Sequence, residues 1–258
     1  MTSSVHINGG DFVEWFESLY DDFRQRTGFG SLPAERTQQD VDFIIEECRL
    51  ERGSRVLDLC SGTGRHAIEL TRRGLQVVGV ELNPAYVELA QERAAEAGVT
   101  PSFRVGDVRT VEFGSGYDGA ILMWNSFGFF EDEQERAFLA RVSTALKPSG
   151  RFLVEVLNRD YLIRNFEARA EREIEGIAVV EERTFDVLGS RINSTVTRHE
   201  PGGIQRRVTR WRLYSPHELR ILGEAAGFRF VVAHGTLNRQ PVTLETRLMR
   251  FTFENRRS

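Results

Sequence analysis

The chain has 258 residues and a net charge of −4, with a pI near 5.9, a balance that argues against holding nucleic acid by neutralising phosphates. No apolar run approaches the roughly 20 residues of a membrane helix, the first residues lack a basic-then-apolar leader pattern, and Cys48 and Cys60 are too few thiols for a disulfide framework or a zinc cluster. These features predict a cytoplasmic α/β-sized protein with a substantial buried core and no nucleic-acid, membrane or metal partner. Lys147 is the only lysine beside many arginines, a bias expected of a GC-rich bacterial genome.

In chain order, Phe12, Trp15, Phe16, Leu19 and Phe23 recur every three or four residues and predict an aromatic helical face. A loop around 28–33 leads to a second helix over 35–49, so residues 1–50 read as an N-terminal helical cap. Residues 51–258 then alternate strand and helix: strand 55–59, helix 65–73, strand 76–80, helix 84–97, strand 102–105, strand 117–124, helix 132–146, a turn at 147–150 and strand 151–157. Pro84 suits a first helical turn and Gly98 a stop. This alternation predicts a parallel sheet covered on both faces. The rhythm changes over 176–214, where runs at 178–186, 191–200 and 204–214 are separated by Gly-rich loops and predict an inserted three-stranded antiparallel meander. Ser215-Pro216-His217-Glu218 reads as a capping box opening a helix, and two last strands are expected at 228–234 and 248–254.

The chemistry concentrates at Val56–Gly64, which reads V-L-D-L-C-S-G-T-G. A strand runs into a glycine turn that opens a helix, and glycine lets backbone N–H groups approach a ligand. The next strand ends at Glu81, a carboxylate able to accept two ribose hydroxyls. A nucleoside-containing cofactor follows. Gly62-Thr63-Gly64-Arg65-His66-Ala67 also satisfies G-x-G-x-x-A, the dinucleotide fingerprint. Against that reading, Asp58 lies four residues before Gly62, where it would repel a pyrophosphate at the helix N-terminus. It would instead attract the ammonium of S-adenosylmethionine (SAM), which carries no phosphate. After the third strand, Asp107 can accept an adenine amino group while Val108 covers the ring.

These three motifs, D-L-C-S-G-T-G-R-H at Asp58–His66, V-V-G-V-E-L-N at Val77–Asn83 and V-G-D-V at Val105–Val108, resemble the class I SAM-dependent methyltransferases. The resemblance implies a doubly wound, Rossmann-like, mostly parallel seven-stranded sheet with SAM as cofactor. It places Asp58, Cys60, Ser61, Gly62 and Gly64 around the methionine end. Glu81 and Leu82 fall at the ribose, Asp107 and Val108 at adenine, and Trp124 beside the methyl group. Glu81 stands where many members have Asp. Cys60 reads as a small packing residue rather than a nucleophile. The N-terminal helix and the meander resemble bacterial small-molecule methyltransferases such as the nucleotide-linked amino-sugar N-methyltransferases and, more distantly, glycine N-methyltransferase. In those relatives the meander serves the substrate site or a dimer contact, so a small-molecule acceptor and a homodimer are expected.

The acceptor should lie beyond the carboxyl ends of the strands. Trp124 and Asn125 close strand four, and the segment is not the Asn-Pro-Pro-Tyr of amide and adenine N-methyltransferases. The amino-sugar enzymes carry a His that serves as base in this region; the corresponding residue here is Phe129. Asn125 and Tyr20 are the catalytic candidates. Arg36, Arg210, Arg212 and Tyr214 are the acceptor-binding candidates, the last three by period-two alternation on one strand face. His66 falls either near the methionine end or on the helix surface, and His199, His217 and His234 have no metal spacing. The expected activity is methyl transfer from SAM to N or O of a small metabolite. The alternatives are an NAD(P)-dependent oxidoreductase, or a SAM protein that transfers another group or does not turn over.

Overall fold

A computed structural model describes residues 32–200 and 202–256, together with Phe23. The remainder of the expected aromatic helix, Tyr20 included, lies outside the described residues. The first described helix, α1 (Ala34–Cys48), is followed by β1 (Arg55–Leu59), α2 (Arg65–Arg72), β2 (Gln76–Glu81), α3 (Pro84–Glu96), β3 (Ser102–Val105), β4 (Tyr117–Leu122), α4 (Asp132–Ala145) and β5 (Leu146–Leu157). After these come α5 (Arg159–Arg164), β6 (Arg169–Ile174), β7 (Ile177–Asp186), β8 (Arg191–Glu200), β9 (Gly203–Arg212), α6 (Pro216–Ala225), β10 (Phe228–His234) and β11 (Leu248–Asn255).

Seven strands form the main sheet in the order β10-β11-β5-β4-β1-β2-β3. Only β11 runs against the others, pairing antiparallel with both β5 and β10. The period of two along a strand sends alternate side chains to opposite faces. Leu57 and Leu59 enter a core with Phe138 of α4 and Leu219 of α6, whereas Val56 joins Val41 and Ile44 of α1 and Leu70 of α2. The rings of Phe152, Phe228 and Phe253 stack within 6.5 Å of one another across three strands. The strand order reverses between β1 and β4, and ligands in such sheets sit beyond the carboxyl ends at that point.

Three expectations are corrected. The antiparallel insertion has four strands, in the order β6-β7-β8-β9. The added strand, β6, is charged on both faces, alternates no apolar residues and is held by pairing Arg169–Ile174 with β7. Strand β4 stops at Leu122, because Trp124 and Asn125 adopt left-handed backbone at φ 63° and 58°. The turn expected at 147–150 is absorbed into one long β5. Tyr117 pairs with Leu146, the register slips before Gly119, and Ser149 takes φ 61° to carry the kink. The Ser215–Glu218 capping box is present, with Pro216 in the first turn of α6. Arg198 on β8 places its guanidinium 4.5 Å from the Phe23 ring. No helix among the described residues is long and apolar enough to cross a membrane.

Candidate functional site

A cavity of about 480 Å³ opens at the carboxyl ends of β1, β2 and β4, within the range of small-ligand sites. Its walls include Cys60, Ser61, Gly62 and Thr63 from the glycine turn, Arg65 and His66 from the first turn of α2, Glu81 at the end of β2, and Leu82 to Pro84 after it. Gly106, Asp107 and Val108 follow β3, and Met123, Trp124, Ser126, Phe129 and Phe130 follow β4. The three sequence motifs, far apart in the chain, therefore converge.

The turn is shaped by backbone that L side chains resist. Gly64 takes φ 78°, and a Cβ there would lie 2.7 Å from the Phe103 ring and 2.9 Å from the Ala90 methyl. It is the N-cap of α2 rather than a cavity-wall residue. Cys60 adopts φ 55°, where a non-glycine residue is strained by about 1–2 kcal/mol. Burial, with the nearby carboxylates, pushes its thiol well above the ordinary range. It is a packed thiol and not a ready thiolate.

Glu81 fastens this turn to β2. Its Oε2 accepts the Gly62 amide proton and its Oε1 the Asn83 amide proton, both at 2.9 Å. Burial raises its pKa, opposed by these backbone bonds. The Leu82 amide also bonds this carboxylate, so of about four acceptor sites about one remains for a hydroxyl. Asp58 stands behind the wall and is not among the lining residues. It is 1% exposed, it accepts the Ala67 amide, and its Oδ2 is buried with no hydrogen-bond partner among the described residues. Burial lifts its pKa to about 7, with Arg65 opposing and Glu81 adding to the rise. Ser61 Oγ is likewise buried without a partner among the described residues.

At the other end, Asp107 lies on the wall but is clasped by Arg109, whose Nε and Nη2 donate to its Oδ2 at 2.9 and 2.6 Å. Burial raises its pKa, and the Arg109 bonds outweigh that and leave it below the usual carboxylate range. Arg109 also lies 4.8 Å from the Phe130 ring centroid. Val108 is buried in the main core and lines the cavity.

The β4 end is held in its strained form by β5. Trp124 N donates to Glu155 Oε1 at 3.3 Å, Asn125 N donates to the Glu155 carbonyl at 3.1 Å, and Leu157 N donates to Asn125 Oδ1 at 2.8 Å. Glu155 itself pairs with buried Arg250. Strain of this kind is a device for aiming a side chain. Here it puts Trp124 on the wall and ties Asn125 into the turn, off the cavity. The next loop hangs on Glu135, which is fully buried. Its Oε1 accepts the Gly128 and Phe130 amides at 2.8 and 3.1 Å, and burial raises its pKa to about 7 against those bonds. A Cβ on Gly128, at φ 90°, would lie 2.2 Å from the Arg212 carbonyl oxygen.

The other sequence candidates scatter. Arg36 bonds Asp40 at 3.0 Å and lines a second cavity with Arg239 and Arg247. Arg212 is engaged by Asp132 and Glu218 and covers the Tyr214 ring at 4.5 Å. Tyr214 follows β9, is buried against Phe127, and lines neither cavity; burial pushes its hydroxyl pKa up. Arg210 pairs with Asn193 across β9 and β8 and lies away from both cavities. His66 is buried on the wall with Nε2 3.4 Å from Asp40 Oδ2. Burial, then the Arg65 charge, lower its pKa to about 4, so it is neutral near pH 7. Sequence reasoning missed Asp40 and Glu135, buried acids on charged helices with no local signal, and Glu155, a lone acid inside the apolar run of β5. Tyr86, two residues into the Pro84 helix, and Ser126 were also missed.

Residues 56–150 match a family model described as a methyltransferase domain. The glycine/sarcosine N-methyltransferase of Halorhodospira halochloris is 28% identical over 156 residues, which cover 59% of this chain and 56% of that protein. The chain thus spans about half the length of the curated relatives it matches. A SAM-dependent methyltransferase structure from Clostridium acetobutylicum superposes with TM-score 0.77 at 15% identity, covering 90% of this chain and 96% of that one. The SAM-bound amino pentose methyltransferase CalS10 from Micromonospora echinaspora gives TM-score 0.64 at 22% identity, with coverages of 96% and 100%.

Proposed function

Given a chain that contains a methyltransferase domain and has the class I SAM-dependent methyltransferase fold, we propose that it transfers a methyl group from SAM to the nitrogen of a small-molecule amine. The observation that carries the reading is the pairing of Asp58 with Glu81 at one glycine turn. A buried carboxylate oxygen without a partner among the described residues stands beside a second carboxylate that lines the cavity and keeps about one acceptor site. Two acids there suit a cationic amino-acid nucleoside and repel a diphosphate.

When bound, the cofactor supplies a methyl group activated on a sulfonium sulfur. Asp58 would hold the ammonium, directly or through water, Glu81 the ribose hydroxyls, and Asp107 with Val108 the adenine. Trp124, Ser126, Phe129 and Phe130 would shape the acceptor space and exclude water, which with alignment is most of what the reaction asks of a protein. A neutral amine needs no base, whereas a hydroxyl does. Among the described residues, Phe129 on the wall carries no base, Asn125 is spent on the turn, and His66 is a weak base tied to Asp40. Nitrogen is therefore favoured over oxygen. The amine substrates named for the glycine/sarcosine and amino pentose enzymes support the same choice.

Incubating the protein with methyl-labelled SAM and a panel of glycine, sarcosine, amino sugars and their hydroxyl counterparts tests this. Label appearing in an amine product supports the proposal. Label only in the hydroxyl compounds, or in none, overturns it.

A further inference from the structure

We propose that Arg65 binds the α-carboxylate at the methionine end of the cofactor, and that Asp40 is the positioning residue that aims it. This rests on the SAM reading above. Arg65 follows Gly64 directly and opens α2. Its Nη1 donates to Asp40 Oδ2 at 2.9 Å and to Thr37 Oγ1 at 3.2 Å, and its Cζ lies 6.0 Å from the Trp124 ring centroid. Its Nη2 is buried and has no hydrogen-bond partner among the described residues. Buried donors are normally satisfied, and an unmet one marks a place where a ligand group is missing from the count.

Asp58 Oδ2 is the matching orphan of opposite charge. The two residues influence each other electrostatically, yet no ion pair within 4 Å joins them among the described residues. An unmet cation on the wall and an unmet anion just behind it match the two ends of a zwitterionic α-amino acid. Arg65 is also the only arginine among the described residues of that wall. The planar guanidinium suits a carboxylate, and the N-terminus of α2 adds favourable dipole.

Asp40 explains why the guanidinium stays in place. It is buried and takes Arg36 Nε at 3.0 Å, Arg65 Nη1 at 2.9 Å and His66 Nε2 at 3.4 Å. Three donors on one carboxylate fix one edge of Arg65, while Nη2 stays buried and unpaired among the described residues.

The test is calorimetric and needs no turnover. The full chain is titrated with S-adenosylhomocysteine and with 5′-methylthioadenosine, which has the nucleoside thioether but no amino-acid end. Arg65→Gln is expected to weaken S-adenosylhomocysteine by about 10–100-fold, the range of a charge-assisted bond, and to leave methylthioadenosine unchanged. Asp40→Asn is expected to give a smaller loss with the same selectivity. Equal weakening of both ligands, or no weakening of either, overturns the proposal. Should Arg65→Gln fail to fold, the wild-type chain titrated with decarboxylated S-adenosylhomocysteine reads the same contact. The expected result is a comparable loss, and full affinity overturns the proposal. Failure of wild type to bind S-adenosylhomocysteine at all would instead remove the SAM reading, and this inference with it.

Discussion

Glu81 Oε2 accepts the Gly62 amide proton at 2.9 Å, tying the end of β2 to the middle of the glycine turn. One side chain thus fixes the turn and also lines the cavity. Glu81→Gln replaces one acceptor oxygen by a donor that must face either Gly62 N–H or Asn83 N–H. S-adenosylhomocysteine affinity should fall about 10–100-fold, the equivalent of about 1–3 kcal/mol for a spoiled buried hydrogen bond. Titration calorimetry measures it, and an unchanged affinity would remove Glu81 from the ribose site.

Asp58 is expected to make cofactor binding pH-dependent. In the free protein its pKa is about 7, raised chiefly by burial, and an ammonium beside it would lower that value. Binding should then expel protons and tighten as pH rises through 7, weakening toward a limit of about tenfold per pH unit below it. Calorimetry in buffers of different ionisation enthalpy counts the protons. Proton uptake on binding, or no pH dependence in Asp58→Asn and wild type alike, would contradict the assignment.

Glu135 carries the acceptor-side loop through Gly128 and Phe130. Glu135→Leu leaves two buried amides without an acceptor and should lose about 2–5 kcal/mol in urea unfolding. Glu135→Gln keeps the accepting oxygen and should lose much less. The sign of the pH effect follows from a pKa of about 7 against about 4.5 unfolded. Stability from Glu135 is fully present below pH 4.5 and is lost as pH rises through 7. Between pH 5 and 8 wild type should therefore lose up to about 3 kcal/mol relative to Glu135→Gln.

Gly128→Ala should destabilise by about 2–4 kcal/mol, because it combines φ 90° with a Cβ 2.2 Å from the Arg212 carbonyl oxygen. Unfolding midpoints measure the loss, and a variant as stable as wild type would show that the loop is free to move off β9.

Asn125 is placed as a turn residue. Asn125→Asp keeps the acceptor for Leu157 N–H and should retain activity on the amine acceptor. Asn125→Ala loses that bond and the side chain that best tolerates φ 58°, for about 1–2 kcal/mol of stability. Loss of turnover in Asn125→Asp with intact stability would restore a direct role in catalysis.

The main sheet was legible because most of its strands are apolar runs separated by clear breakers: Gly62 and Gly64 after β1, Pro84 opening α3, and Ser215 capping α6. The cofactor wall was legible for a related reason, since each of its acids closes or follows a strand. The acceptor side was not. Trp124 and Asn125 leave the strand through left-handed backbone held by Glu155, thirty-one residues away from Trp124, and no local pattern encodes that bond. Arg212 reads as an exposed cation by alternation, yet Asp132 and Glu218 from two separate helices engage it. β6 was invisible because a charged edge strand is stabilised by its neighbour and not by burial.

The most direct test is a crystal structure of the full chain grown with S-adenosylhomocysteine and NADH together. The account predicts density for the thioether nucleoside, with its ribose against Glu81 and its amino-acid end beside Asp58. A dinucleotide with its diphosphate seated on Gly62 and Gly64 would contradict it.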